Sequence, residues 1–165
     1  MSISLMSNGR IGSLGAWCGT DADEIIYPAV STCVTVTART PNGLVGAHFF
    51  RGNPPSVMNG DIAEFATLAN DTGRVNQVYV VGHFGEWIGI RNRTGYTVAE
   101  NSLIRKLADD MGYHGGFATR DISGTGERDL RVTPHHLHVK VESKLSAGGV
   151  YAEIRQNQFD LMIRA

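Results

Sequence analysis

The sequence predicts an α+β domain, a layered sandwich of mostly antiparallel β-sheet with two main helices. Three observations predict it. Short runs rich in Val, Ile, Thr and aromatic residues recur along the chain, separated by turn signals. Two segments carry an apolar stripe at helical spacing. The chain has 165 residues, which suits one domain spanning 1–165. A chain of this length buries roughly 70% of the surface its unfolded form exposes, so its core needs no disulfide or metal.

The elements follow in order. Residues 1–23 are rich in Gly, Ser and Asp with little periodicity, and predict a loosely structured start. "EIIYPAV" (24–30) and "TCVTVTA" (32–38) read as strands, with Pro28 as a bend or edge. "RTPNG" (39–43) is a turn signal, and "LVGAHFF" (44–50) is the next strand. "NGDIAEFATLAND" (59–71) predicts a helix with Asn59 as N-cap and Ile62, Phe65, Ala66 and Ala69 on one stripe. "NQVYVVGHFG" (76–85) is an apolar run of buried-strand length, and "EWIGIR" (86–91) is its candidate partner. "TVAENSLIRKLADDMG" (97–112) predicts the second helix. Thr97 and Glu100 form a capping box, Leu103, Ile104, Leu107 and Met111 line one face, and Gly112 ends it. The remainder reads as β: "GGFATRDI", "RDLRVTP", "HLHVKVES", "GVYAEIR" and "FDLMIR". Its last part, 147–165, predicts an extra C-terminal β-hairpin.

Composition narrows the function classes. Formal net charge is −1, with Lys and Arg scattered, so neither a nucleic acid nor a membrane surface is expected as a partner. No apolar run approaches the roughly 18 residues of a membrane helix. The first residues lack a charged segment followed by an apolar one. The expected location is therefore cytoplasmic, or that of an exported effector without a cleavable signal. Cys18 and Cys33 are the two cysteines, too few for a disulfide framework.

Cys33 and His48 carry the chemistry. Side chains alternate faces along a strand. Val34, Val36 and Ala38 share one face of the first strand; Val45, Ala47 and Phe49 share one face of the second. With these apolar sets turned to the core, Cys33 and His48 fall together on the opposite, solvent-side face. If Pro41-Asn42 is the loop, Phe50 opposes Cys33 and His48 is its diagonal neighbour, about 7–8 Å away between Cα atoms. A thiol has a pKa of about 8.5 and is mostly protonated at neutral pH. An adjacent imidazole can take its proton, and the thiolate can attack a carbonyl or carboxamide carbon. The ordinary alternative is a core-filling cysteine, since cysteine is among the most buried residue types.

Thr32-Cys33-Val34 and Val45-Gly46-Ala47-His48 resemble the motifs of the chemoreceptor glutamine deamidase (CheD) family. There a "SC" strand is followed by x-V-G-x-x-A-H. "LADDMGYHG", "GFATRDISGTGERDLRV" and "HLHVKV" are similar to later family elements in the same order, so the resemblance spans roughly residues 24–142. It implies a sandwich of sheets and helices and hydrolysis of a protein glutamine amide to glutamate, without a cofactor. Cys33 would be the nucleophile and His48 the base, on a protein substrate bearing the target glutamine. A transglutaminase is a variant of the same chemistry. The same Cys-His arrangement occurs in toxin deamidases related to cytotoxic necrotizing factors. Where the family places a helping threonine, this chain has Tyr27. Thr32 therefore joins the candidate catalytic set, with Ser31 and a backbone carbonyl as other ways to orient His48. A non-catalytic module binding a signalling protein is the alternative.

Two further signals are weaker. His136 and His138 are two apart and predict a shared strand face with Lys140, Leu137 turned inward; with His83, His114 or Glu86 they would make a metal site, though a solvated face is the simpler reading. "SGTGER" lacks the Lys-Ser/Thr of a phosphate loop and reads as a turn.

Overall fold

The computed structural model describes residues 1–9, 16–50, 55–84 and 103–162. Its strands are β1 (Ile3–Ser4), β2 (Cys18–Asp21), β3 (Ile25–Val30), β4 (Cys33–Thr40), β5 (Gly43–Phe50), β6 (Gln77–Gly82), β7 (Phe117–Asp121), β8 (Arg128–His135), β9 (His138–Leu145), β10 (Ala152–Ile154) and β11 (Asp160–Met162). The helices are α1 (Pro55–Thr72) and α2 (Leu103–Met111). The strands form a five-stranded sheet, β1-β3-β8-β9-β10, and a six-stranded sheet, β11-β7-β6-β4-β5-β2. Both are mostly antiparallel; β1–β3 and β6–β7 are parallel pairs.

The layers follow from which faces are apolar. Val34, Val36, Ala38, Val45, Ala47 and Phe49 pack against Ile62, Phe65, Ala66 and Ala69 of α1 and Leu103, Ile104, Leu107 and Met111 of α2. The expected stripes thus cover one face of the six-stranded sheet. The other face packs on the five-stranded sheet through Tyr27, Leu130, Val132, Val139 and Val141. The six-stranded sheet is therefore the middle of three layers, and β4–β5 lies near its centre. Gly43, at φ 135°, closes the Pro41–Asn42 turn where its Cβ would approach the Asp21 carbonyl.

Several boundaries differ from expectation. The start is not loose where it is described: β1 pairs with β3, and β2 pairs with β5. Gly- and Ser-rich composition hides strands that are short and held by pairing rather than by their own periodicity. The two strands within 147–162 do not pair as a hairpin. β10 joins β9 in one sheet and β11 joins β7 in the other. The connection carries a 3-10 turn at Gln156–Gln158, and the chain changes layer there. α1 begins at Pro55, so Asn59 lies inside it. A proline fits a first turn, whose N–H groups have no helical partner. Gly112, at φ 62°, ends α2 as its sequence suggests. The candidate strand 86–91 and the Thr97–Glu100 capping box lie outside the described residues.

Candidate functional site

The hairpin register is the one required. Thr40 pairs with Gly43, Thr35 with His48 and Cys33 with Phe50. Cys33 and His48 are thus diagonal neighbours on one face. That face is not solvated, however. Cys33 is 3% exposed and His48 1%. They point between the two sheets. Thr35 and Thr37 made this side of β4 look polar, yet both are buried with their hydroxyls satisfied. Thr35 Oγ1 donates to the Val81 carbonyl at 2.8 Å, and Thr37 Oγ1 pairs with the Tyr27 hydroxyl at 2.8 Å.

His48 is held in one tautomer. Its Nδ1 lies 2.8 Å from the Leu5 carbonyl oxygen. A carbonyl only accepts, so Nδ1 carries the hydrogen and Nε2 presents a lone pair. Nε2 is buried and makes no hydrogen bond among the described residues. Burial lowers the imidazole from 6.5 to about 4, against an upward pull from the Leu5 carbonyl. Tyr27 packs edge-on against the ring at 6.0 Å between centroids. Gly46 leaves room for the Tyr27 hydroxyl, which a Cβ there would strike. Asn8 fixes the neighbouring backbone: its N–H donates to the His48 carbonyl at 2.9 Å and its Oδ1 accepts from the Phe50 N–H at 2.6 Å.

Cys33 opens β4 beside the bend at Ser31 and Thr32. Burial raises its thiol to about 11. The N–H groups of Ser31 and Thr32 and the Thr32 hydroxyl act in the opposite direction by donating to the sulfur. Thr32 therefore sits against the thiol. The Leu5 carbonyl, a backbone carbonyl such as the sequence left open beside Ser31 and Thr32, holds the His48 ring. Leu5 and Asn8 went unnoticed in the sequence because a main-chain carbonyl has no residue signature. An asparagine among Gly and Ser also reads as loop.

His136 and Leu137 form the tip of the β8–β9 hairpin rather than part of a strand, and Leu137 is 88% exposed. The paired histidines are His135 and His138, with ring centroids 4.9 Å apart. Among the described residues, no group of three or more His, Cys, Asp or Glu side chains is placed to share a metal ion. "SGTGER" is a turn, with Gly124 and Gly126 at φ 78° and 89°. No described helix is long and apolar enough to cross a membrane.

No protein-family model and no curated protein matches the sequence. The chemistry of the site is therefore read from its geometry.

Proposed function

We propose that the protein is a cysteine-dependent protein glutamine deamidase similar to the chemoreceptor glutamine deamidases, acting in the cytoplasm or as an exported effector. One observation carries this reading: His48 presents a bare, tautomer-fixed Nε2 on the same buried face as the Cys33 thiol, one diagonal away across β4–β5. In the reaction, the Cys33 side chain, which makes no hydrogen bond to Nε2 at rest, turns toward it; Nε2 takes the Sγ proton and the thiolate attacks the glutamine carboxamide carbon. Collapse of the tetrahedral adduct breaks the C–N bond, and Nε2 returns the proton to departing ammonia. Water then attacks the thioester, giving up a proton to Nε2. Glutamate leaves and the thiol is restored. The Ser31 and Thr32 N–H groups and the Thr32 hydroxyl stabilise the sulfur anion. The test incubates wild type and Cys33→Ser with candidate protein substrates and looks for a gain of roughly 1 Da at a glutamine, the amide-to-acid change of the thioester route. Ammonia release that persists in Cys33→Ser removes Cys33 from the mechanism. Incorporation of an added primary amine identifies the transglutaminase variant.

A second reading has its own observation. Burial moves thiol and imidazole in the directions that oppose ion-pair formation. A non-catalytic module binding a signalling protein keeps such a pair inert. Alkylation of Cys33 that stays slow even when the partner protein is bound supports it.

A further inference from the structure

His83 immediately follows Gly82, the last residue of β6. Gly82 faces the start of β4 closely: a Cβ there would lie 2.5 Å from the Cys33 carbonyl oxygen. This approach lets the His83 N–H donate to the Cys33 carbonyl at 3.1 Å. The side chain turns back to the other end of the same bend. Its Nε2 lies 3.0 Å from the Val30 carbonyl, so Nε2 carries the hydrogen. His83 is 8% exposed. One residue therefore ties Val30 and Cys33 and spans Ser31 and Thr32, whose donors face the Cys33 sulfur.

The segment entering this bend is strained. The β3–β8 register shifts between Tyr27 and Val30. Ala29 there is the non-glycine residue with positive φ among the described residues, at 56°. Its N–H donates to Asp129 Oδ1 at 2.9 Å. Backbone held off its preferred conformation persists only when surrounding contacts fix it, and such positions cluster at functional sites. Here Asp129 fixes the entry and His83 fixes the exit.

We infer that His83 is a positioning residue for Cys33: its ring and its main-chain N–H clamp the Val30–Cys33 bend so that the Ser31 and Thr32 donors stay on the sulfur. The inference rests on Cys33 being the nucleophile. The sequence gives no motif for it, and no step of the reaction above uses His83.

The experiment reads the pH profile of Cys33 alkylation by iodoacetamide in the full chain, with peptide-resolved mass spectrometry separating Cys33 from Cys18. His83→Gln keeps an N–H near the Nε2 position; His83→Leu and His83→Asn do not reach Val30 with one. Wild type and His83→Gln should share one profile. His83→Leu and His83→Asn, checked as folded by thermal melting, should alkylate about tenfold more slowly near neutral pH, with a midpoint raised by about one pH unit. If His83→Leu fails to fold, His83→Asn carries the comparison. A folded loss variant with the wild-type profile, or His83→Gln behaving as His83→Leu, overturns the assignment. The readout needs no substrate. A wild-type chain that shows the expected variant pattern but deamidates nothing sinks the deamidase reading alone, whereas identical profiles throughout sink the role of His83 alone.

Discussion

The Nδ1–H of His48 donates to the carbonyl oxygen of Leu5 at 2.8 Å, across 43 residues of chain. The bond makes the N-terminal segment part of the site. It turns an otherwise ambiguous imidazole into one whose Nε2 is free to accept a proton. An asparagine at position 48 can keep a donor near Nδ1 while removing that acceptor. His48→Asn is therefore expected to fold and to lose activity by about 10²-fold or more, the usual worth of a positioned base. Ammonia release and thermal melts check this together, and activity retained in a folded His48→Asn protein dismisses His48 as the base.

The same imidazole makes stability depend on pH. Burial lowers it from 6.5 to about 4. The unfolded chain binds its proton near the ordinary value and the folded chain only near the lowered one. Stability from this group is thus complete above pH 6.5 and is lost as pH falls toward 4, by at most about 3 kcal/mol. Cys33 has the opposite sign: raised from 9.0 to about 11, it leaves stability intact below pH 9 and weakens it as pH rises toward 11. Urea unfolding at neutral pH and near pH 4.5 should show a smaller acid loss in His48→Asn than in wild type. Equal losses would mean that His48 titrates normally.

Asn8 joins three parts of the molecule. Besides its bonds to His48 and Phe50, its Nδ2 donates to Asp61 of α1 at 2.8 Å. Asn8→Ala leaves the Phe50 N–H without this acceptor, at an expected loss of about 1–3 kcal/mol. Because the Leu5 carbonyl is carried on the same segment, activity should fall more than stability alone accounts for. Urea midpoints and ammonia release in folded protein separate the two effects.

Two glycines give opposite expectations. A Cβ on Gly82 would meet the Cys33 carbonyl at 2.5 Å and the Val34 Cα at 2.6 Å, both main-chain atoms. Gly82→Ala must push β6 from β4 and should cost about 1–3 kcal/mol. A Cβ on Gly60, within α1, meets nothing within 4 Å. Gly60→Ala should therefore stabilise the protein, by about 0.5–1 kcal/mol. Equilibrium unfolding of both variants checks the pair, and a destabilised Gly60→Ala would contradict the open surroundings.

Much of this arrangement was legible in the chain. The Pro41–Asn42 turn fixed the hairpin register, and with it the shared face of Cys33 and His48. Helical spacing at Ile62 and Phe65, and at Leu103 and Leu107, identified the residues that cover the helix side. The polarity of the shared face was not legible. Thr35 and Thr37 look like solvent-facing residues until Val81 and Tyr27 supply their partners from other strands. Alternation tells which residues share a side, and only the rest of the fold tells what lies against that side. Partner choice was equally hidden at the end: "GVYAEIR" and "FDLMIR" each read as a strand, but nothing local assigns them to different sheets.

Arg39 gives the two sheets an uneven seam. Standing toward the far end of β4 from Cys33, its guanidinium donates to the carbonyls of His135, His136 and His138, at 2.9, 2.7 and 2.6 Å. Near Cys33 the bonds that join the layers are neutral ones, from the His83 ring to Val30 and from the His48 ring to Leu5. Charge-assisted bonds are roughly twice as strong as neutral ones. About 20 Å of strand separates the two fastenings, at 3.4 Å per residue. The seam is thus fastened by a charge-assisted fan of three bonds at the histidine-rich tip and by neutral ring-to-carbonyl bonds beside the thiol.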